Sequence, residues 1–118
     1  MSIKIAIVED QQKIIDRLIQ RLSFFDDIEI IFSANNADQA IHCLEKCELK
    51  NLPEVILMDI EMPGKSGIEL TGIIKSKNPE IDILIQTVFE NDEKIFQSIQ
   101  AGASGYLLKD DPIQKYVD

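Results

Sequence analysis

The sequence predicts an α/β domain with a doubly wound, parallel β-sheet and helices on both of its faces. Two observations carry this prediction. Apolar, strand-like runs alternate five times with segments of helical spacing, a pattern that gives a parallel sheet joined by right-handed crossovers. The run from Val55 to Met58 is apolar without interruption, as expected of a strand buried on both faces. With 118 residues, of which 45% are hydrophobic, the chain is expected to form one domain with its own core.

Spacing and turn residues place the elements of the first half. Strands are expected over Ile3 to Val8 and over Ile28 to Phe32. The helix between them has an apolar stripe that Phe24 and Phe25 would close, with Ile14, Ile15, Leu18, Ile19 and Leu22 as its other members. Residues 33–36 can cap a second helix, whose expected inner face comprises Ala37, Ala40, Ile41, Leu44 and Cys47.

The third strand, Val55 to Met58, is followed at once by the carboxylate of Asp59. The dipeptide Pro63-Gly64 then breaks the chain, and Ser66 can cap a third helix. That helix is expected to stop before Asn78, because a residue that precedes proline leaves the helical region. Its apolar residues are Ile68, Leu70, Ile73 and Ile74.

The last part of the chain repeats the alternation. A fourth strand is expected over Ile81 to Val88, and a fifth over Ser104 to Leu108. The helix between them should end at Gly102 and turn three apolar residues inward, namely Ile95, Phe96 and Ile99. A final helix is expected from Pro112, since proline is favoured at the first helical position.

Charge and hydropathy exclude several classes of protein. Twelve basic and 21 acidic residues give a net charge of -9, so the domain should repel nucleic acid. The acidity suits a cation site, a basic partner or simple solubility. No apolar run approaches the roughly 20 residues of a membrane helix, so no membrane association is expected. The first residues run straight into a strand and do not resemble a signal peptide, which predicts a cytoplasmic location.

Cys43 and Cys47 lie four residues apart in a helical pattern, with His42 beside them. A zinc site would need a fourth ligand at suitable spacing, and a disulfide scaffold would need more cysteines. We therefore expect both cysteines to act as small packing residues.

The polar residues at the ends of the strands are the candidate functional site. All parallel strands finish at the same edge of the sheet, which we call the rim, so five polar residues are expected to line it: Glu9, Asp10, Asp59, Thr87 and Lys109. Two like charges about 4 Å apart repel by about 4 kcal/mol near a protein surface, so clustered carboxylates need a cation or Lys109 to offset them. Carboxylate oxygens are ligands that suit Mg²⁺.

These rim residues, with the segment from Met62 to Gly67, resemble the signature of bacterial response-regulator receiver domains over the whole chain. The resemblance implies the flavodoxin-like receiver fold, with strand order 2-1-3-4-5. It implies that Asp59 accepts a phosphoryl group from a sensor histidine kinase. Asp10, Asp59 and the main-chain carbonyl of Glu61 would hold Mg²⁺, and Glu9 would act through water.

The same resemblance assigns the remaining roles. Thr87 and Lys109 would bind the phosphoryl oxygens, and Thr87 and Tyr106 would form a switch that responds to phosphorylation. The run from Gly102 to Asp110 is similar to the subfamily that carries a C-terminal helix-turn-helix domain. We therefore expect residues 1–118 to be a receiver domain cut within its fifth helix. The output domain that would bind DNA is then absent, and a homodimer is expected on phosphorylation.

Other functions fit the sequence less well. A stand-alone receiver that acts by protein contact remains an alternative. An enzyme is not expected, beyond Mg-dependent self-phosphorylation and autodephosphorylation. A flavin carrier would need a phosphate-binding loop after the first strand, and an aspartate-dependent phosphatase would need an aspartate where Glu61 stands. Two positions depart from the receiver pattern: Asp110 replaces the common proline, and Val88 replaces a small residue.

Overall fold

The structure, a computed structural model, describes residues 3–48, 51–60, 62, 64–87 and 92–108. Within these ranges the chain forms five strands: β1 (Ile3–Val8), β2 (Ile28–Ala34), β3 (Val55–Asp59), β4 (Asp82–Thr87) and β5 (Gly105–Leu108). The helices that connect them are α1 (Gln12–Leu22), α2 (Ala37–Lys46), α3 (Gly67–Lys77) and α4 (Asp92–Ala101). The helix predicted from Pro112 lies outside the described residues.

The strands form one parallel sheet in the order β2-β1-β3-β4-β5, which confirms the expected topology. The register places Ile7 beside Leu57, and Leu57 beside Leu84. Further along the same strands, Asp59 pairs with Gln86. This register fixes which residues share a face of the sheet, because side chains alternate between the faces along each strand.

The core has one layer on each face of the sheet, as a doubly wound fold requires. We call them the α1-side layer and the α2/α3-side layer. The α1-side layer contains Ile5, Ile7, Ile15, Leu18, Leu22 and Leu57. The α2/α3-side layer is larger and includes Ala37, Ala40, Ile56, Met58, Leu70, Ile74, Ile83 and Ile85. Each fully buried leucine or isoleucine stabilises the fold by about 1.5–3 kcal/mol relative to an exposed one.

Two helices begin at the caps expected from the sequence. The Asn36 side chain accepts a hydrogen bond from the Gln39 main-chain N–H at 2.8 Å, at the start of α2. The Ser66 hydroxyl accepts one from the Glu69 N–H at 3.2 Å, at the start of α3. Each cap satisfies a main-chain donor that the first turn of a helix leaves free. As predicted, α3 ends just before Asn78.

The predicted inner face of α1 is confirmed for Ile14, Ile15, Leu18, Ile19 and Leu22, but three other residues predicted to face inward are exposed. Phe24 is 81% exposed, because α1 ends at Leu22 and the chain beyond it no longer follows the apolar stripe. In α4, Phe96 and Ile99 are 60% and 53% exposed, whereas Ser98 is buried. A buried serine is tolerated there because its hydroxyl donates to the main-chain oxygen of Lys94 at 2.8 Å.

The two cysteines are free and half-buried. Cys47 lies just beyond the last residue of α2 and not on the predicted inner face of that helix. Burial raises the pKa of the Cys47 thiol, and the neighbouring Cys43 raises it further. Cys47 therefore holds its proton more tightly than an ordinary cysteine.

Lys75, in the last turn of α3, binds the segment before β4 at the edge of the sheet opposite the rim. Its ammonium Nζ donates to the main-chain oxygens of Pro79 and Ile81, at 2.7 and 2.8 Å, just before β4 begins. Its side chain also packs against Gly102, which comes after the last residue of α4, as the sequence predicts, and has φ +114°. A Cβ at Gly102 would lie 3.0 Å from Lys75 Cγ, so both space and backbone conformation favour glycine.

Candidate functional site

Three carboxylates meet where β1 and β3 end. Glu9 and Asp10 come directly after the last residue of β1, and Asp59 is the last residue of β3. One side-chain oxygen from each of Glu9, Asp10 and Asp59 lies within 4.8 Å of the others. The main-chain N–H of Glu9 donates to the oxygen of Ala34 at 2.9 Å, which holds this segment in line with β2. The predicted clustering of these acidic side chains is thus present in the fold.

Burial makes the close approach of these negatively charged side chains energetically unfavourable. Glu9 is fully buried and Asp59 is 4% exposed, whereas Asp10 is half-buried. Glu9 Oε2 accepts a hydrogen bond from the Gln11 main-chain N–H at 3.2 Å, which offsets part of the cost. Repulsion of about 4 kcal/mol per close pair still favours a bound cation. Three carboxylate oxygens form a hard donor set, so the residues present fit Mg²⁺.

The loop after β3 is held against that strand at Gly67. The Gly67 main-chain N–H donates to the oxygen of Ile60 at 2.8 Å. An ideal Cβ at position 67 would lie 1.9 Å from the main-chain oxygen of Asp59, so only glycine permits this approach. The buried Thr71 hydroxyl donates to the Gly67 oxygen at 2.7 Å and secures the first turn of α3. Gly67 thereby sets the distance between α3 and the end of β3.

An open cleft of about 670 Å³ adjoins Asp10. The loop before α2 and the loop before α3 form its walls, and its lining residues are Asp10, Asn35, Asn36, Ala37, Asp38, Gly64 and Lys65. Lys65 Nζ lies 3.8 Å from Asp38 Oδ1, and both side chains are largely exposed. A surface ion pair of this kind contributes about 0–1 kcal/mol. The cleft therefore reaches the carboxylate cluster at Asp10, from the α2 side.

The other predicted site residues fall into two groups. Thr87 is the last residue of β4, one position beyond the residue that pairs with Asp59, so its main chain lies at the rim. Tyr106 pairs with Ile85 from the neighbouring strand and has an exposed side chain. Glu61 and Lys109 lie outside the described residues, and their predicted roles stay predictions.

Sequence reasoning missed one polar residue near the cluster. Gln86 is buried and pairs with Asp59 across β3 and β4. The sequence does show a polar residue directly after the apolar run Ile83 to Ile85, inside the predicted strand, but not that this residue pairs with Asp59. A polar residue in a buried strand needs a reason to be there.

Comparisons with known proteins agree with this fold and show the family. The family model of the response regulator receiver domain matches residues 5–117. The transcriptional regulatory protein LnrK of Bacillus subtilis (strain 168) is 36% identical over 108 residues, which are 92% of this chain and 47% of that protein. The transcriptional regulatory protein DesR of the same strain is 37% identical over 113 residues, 96% of this chain and 54% of that protein.

A solved structure of a response regulator also matches the fold of this chain. The crystal structure of a DNA-binding response regulator of the LuxR family from Staphylococcus aureus matches with a TM-score of 0.85 and 28% identity. The match covers 98% of this chain and 92% of that chain. The chain belongs to the response regulator receiver domain family.

The chain spans about half the length of the curated relatives LnrK and DesR. The family assignment therefore concerns the receiver domain, and the activity of a longer protein is a separate question. In the part of the chain that the structure describes, none of the helices is long and apolar enough to cross a membrane.

Proposed function

We propose that this receiver domain takes up a phosphoryl group on Asp59 from a sensor histidine kinase, in a step that depends on Mg²⁺. The grouping of Glu9, Asp10 and Asp59 within 4.8 Å carries this function, because it combines a buried nucleophile with a cation site. The phosphoryl group then switches a downstream output, which we infer to be transcription. We propose no catalytic activity beyond self-phosphorylation and autodephosphorylation.

In the reaction, one carboxylate oxygen of Asp59 forms a bond to phosphorus. The bond between phosphorus and the donor's imidazole nitrogen breaks, and its electron pair goes to that nitrogen. Asp59 is 4% exposed at the end of β3, and one of its oxygens lies within 4.8 Å of oxygens of Glu9 and Asp10. Burial leaves the side chain few orientations, which favours the reaction. Phosphoryl transfer needs little from the protein beyond such positioning and the neutralisation of charge.

Different residues at the rim are proposed to bind the metal ion and the phosphoryl oxygens. Asp10 and Asp59, with the main-chain carbonyl of Glu61, would hold Mg²⁺, and Glu9 would hold it through water. When bound, the ion supplies positive charge to the phosphoryl oxygens. Thr87 and Lys109 are proposed to bind those oxygens, in keeping with the receiver pattern. Movement of Thr87 and Tyr106 would then carry the signal to the surface of α4 and β5.

The output is proposed from the relatives. LnrK and DesR are transcriptional regulatory proteins of about twice this length. We infer that the full protein is cytoplasmic and binds DNA through a separate output domain, with a homodimer forming on phosphorylation. The acidic receiver itself, with a net charge of -9, is unsuited to contact DNA.

Intact-mass analysis with acetyl phosphate as the donor tests the assignment of Asp59. With Mg²⁺ present, the wild-type protein should gain the mass of one phosphoryl group. Asp59→Asn keeps the shape of the side chain and removes the nucleophile, so this variant should gain none. Asp38→Asn is the matched control, because Asp38 lines the adjoining cleft without belonging to the cluster, and it should be modified like the wild type. Modification of Asp59→Asn at the wild-type rate would contradict the assignment.

A further inference from the structure

Gln86 is a buried polar residue that follows three apolar residues of β4, Ile83 to Ile85. It is the last but one residue of β4 and is 1% exposed. Neither Oε1 nor Nε2 of its carboxamide has a hydrogen-bond partner in the part of the chain that the structure describes. Burial of an amide without partners is unfavourable, and an apolar residue of the same size would be more stable there. The carboxamide therefore keeps its capacity to donate and to accept a hydrogen bond.

The register places Gln86 directly beside Asp59. Paired residues on neighbouring strands lie about 4.8 Å apart and point to the same face of the sheet. Two positions earlier on the same strands, Leu57 and Leu84 contact the α1-side layer. Because side chains alternate, Asp59 and Gln86 point to that face as well. A glutamine side chain is long enough to cross the gap between the two strands.

Glu9 extends this pair into a row. Ile7 belongs to the α1-side layer and pairs with Leu57, and Glu9 comes two residues later, just past the end of β1. One of its oxygens lies within 4.8 Å of an Asp59 oxygen. The row formed by Glu9, Asp59 and Gln86 is buried throughout. Ionised carboxylates only accept hydrogen bonds, whereas a carboxamide also donates them. Gln86 is therefore the member of the row whose side chain can donate to an ionised Asp59.

We propose that Gln86 is a positioning residue for Asp59. Its Nε2 turns to donate a hydrogen bond to the Asp59 oxygen that does not attack phosphorus, and this holds the other oxygen toward the rim. This role rests on the phosphorylation of Asp59 proposed above and extends it. Hydrogen bonds to charged acceptors are stronger than those to neutral ones, and an aligned nucleophile reacts faster.

Replacement of Gln86 separates a role in positioning from a role in stability. Gln86→Met keeps the length of the side chain and removes the donor, so its midpoint of urea unfolding without Mg²⁺ should equal or exceed that of the wild type. Its rate of phosphorylation by acetyl phosphate should fall roughly tenfold, the loss expected for one hydrogen bond to a charged group. Leu84→Met, two residues earlier on the same face, is the matched control and should react at the wild-type rate. Gln86→Leu serves as a second variant should the methionine variant fold poorly.

A spectroscopic measurement on the wild-type protein makes the test independent of any loss of folding. The side-chain N–H signals of Gln86 are assigned by their disappearance in Gln86→Met. Addition of Mg²⁺ and beryllofluoride, a stable mimic of the phosphoryl group, should shift these signals and slow their exchange with water. The signals of Gln20, an exposed glutamine of α1, should stay in place.

The outcomes distinguish this role from the function on which it rests. An unchanged rate in Gln86→Met, or Gln86 side-chain signals that ignore beryllofluoride, would overturn the role of Gln86 and leave the phosphorylation of Asp59 standing. A rate loss matched by an equal fall in stability would also overturn it, since the residue would then be structural. A wild-type protein that gains no phosphoryl mass would instead contradict the proposed function itself.

Discussion

Gly67 controls how closely the loop before α3 can approach the strand that ends in Asp59. Gly67→Ala would place a Cβ 1.9 Å from the Asp59 main-chain oxygen, so the loop must move. The free energy of unfolding should fall by about 1–3 kcal/mol, the range for overpacking a tight site. Urea unfolding measures this loss, and the rate of phosphorylation should fall with it.

Gly72→Ala is the matched control for this prediction. Gly72 lies inside α3, and a Cβ there would meet nothing within 4 Å. Alanine is the better helix former by about 1 kcal/mol, so this variant should be more stable than the wild type. Equal effects of the two substitutions would show that the contact between Gly67 and Asp59 does not constrain the fold.

For single residues, the sequence predicted the position of those that lie where a strand ends. Glu9, Asp10 and Asp59 each come after an apolar run, and parallel strands bring such ends together. Gln86 was not predicted, because nothing in a single run tells which of its residues will pair with Asp59. Only the register between β3 and β4 makes that pairing visible.

The N-terminus of α3 connects helix stability to the site, because Ser66 caps it in the segment that comes after Asp59. Ser66→Ala removes the hydroxyl that accepts from the Glu69 N–H and should lower the free energy of unfolding by about 1 kcal/mol. Thermal or urea unfolding measures the change. Ser76→Ala is the control, since the Ser76 hydroxyl donates to the oxygen of Ile73 within the same helix and caps nothing. A loss in Ser76→Ala as large as that in Ser66→Ala would argue against the cap.

Elements were predictable where a turn residue or cap marks their ends. Ser66 and Gly102 each predicted a helix boundary to within a residue or two, and residues 33–36 predicted the start of α2, which Asn36 caps. The inner face of α4 was not predictable, because Phe96 and Ile99 are apolar and yet exposed. The rule that apolar residues point inward fails for α4, where the buried residue is Ser98, whose hydroxyl donates to a main-chain oxygen of the same helix.

For the whole molecule, the close carboxylates at the rim link stability to divalent ions. Millimolar Mg²⁺ should raise the melting temperature, because it binds the native state. At a free concentration of about 100 times Kd, binding adds about 2.7 kcal/mol to the free energy of unfolding. Asp10→Ala removes one repelling charge, so without Mg²⁺ this variant should melt no lower than the wild type. Its response to Mg²⁺ should vanish. Differential scanning calorimetry with and without the ion measures both effects.

Asp16→Ala is the control for the metal, because Asp16 is an exposed acidic residue of α1 outside the cluster. It should keep the full response to Mg²⁺. A wild-type response in Asp10→Ala would show that the ion binds elsewhere on this acidic surface.

The order of the strands could not come from periodicity alone. Alternation of strands and helices indicates a parallel sheet, but it does not say that β1 lies between β2 and β3. That order requires the chain to place α1 on one face of the sheet and the next helices on the other. It was predicted through the resemblance to receiver domains, and the structure confirms it.

At the edge opposite the rim, the protein carries a cation of its own. The Lys75 ammonium is ligated by the main-chain oxygens of Pro79 and Ile81, and it is covalently part of the chain. A chelator therefore has nothing to withdraw from that edge, whereas at the rim it would remove the proposed counter-charge of three carboxylates. We therefore expect a response to free divalent ions at the rim, where a phosphoryl group would arrive, and none from the Lys75 contact. The rim should respond to the concentration of divalent ions, whereas the contact made by Lys75 should form at any such concentration.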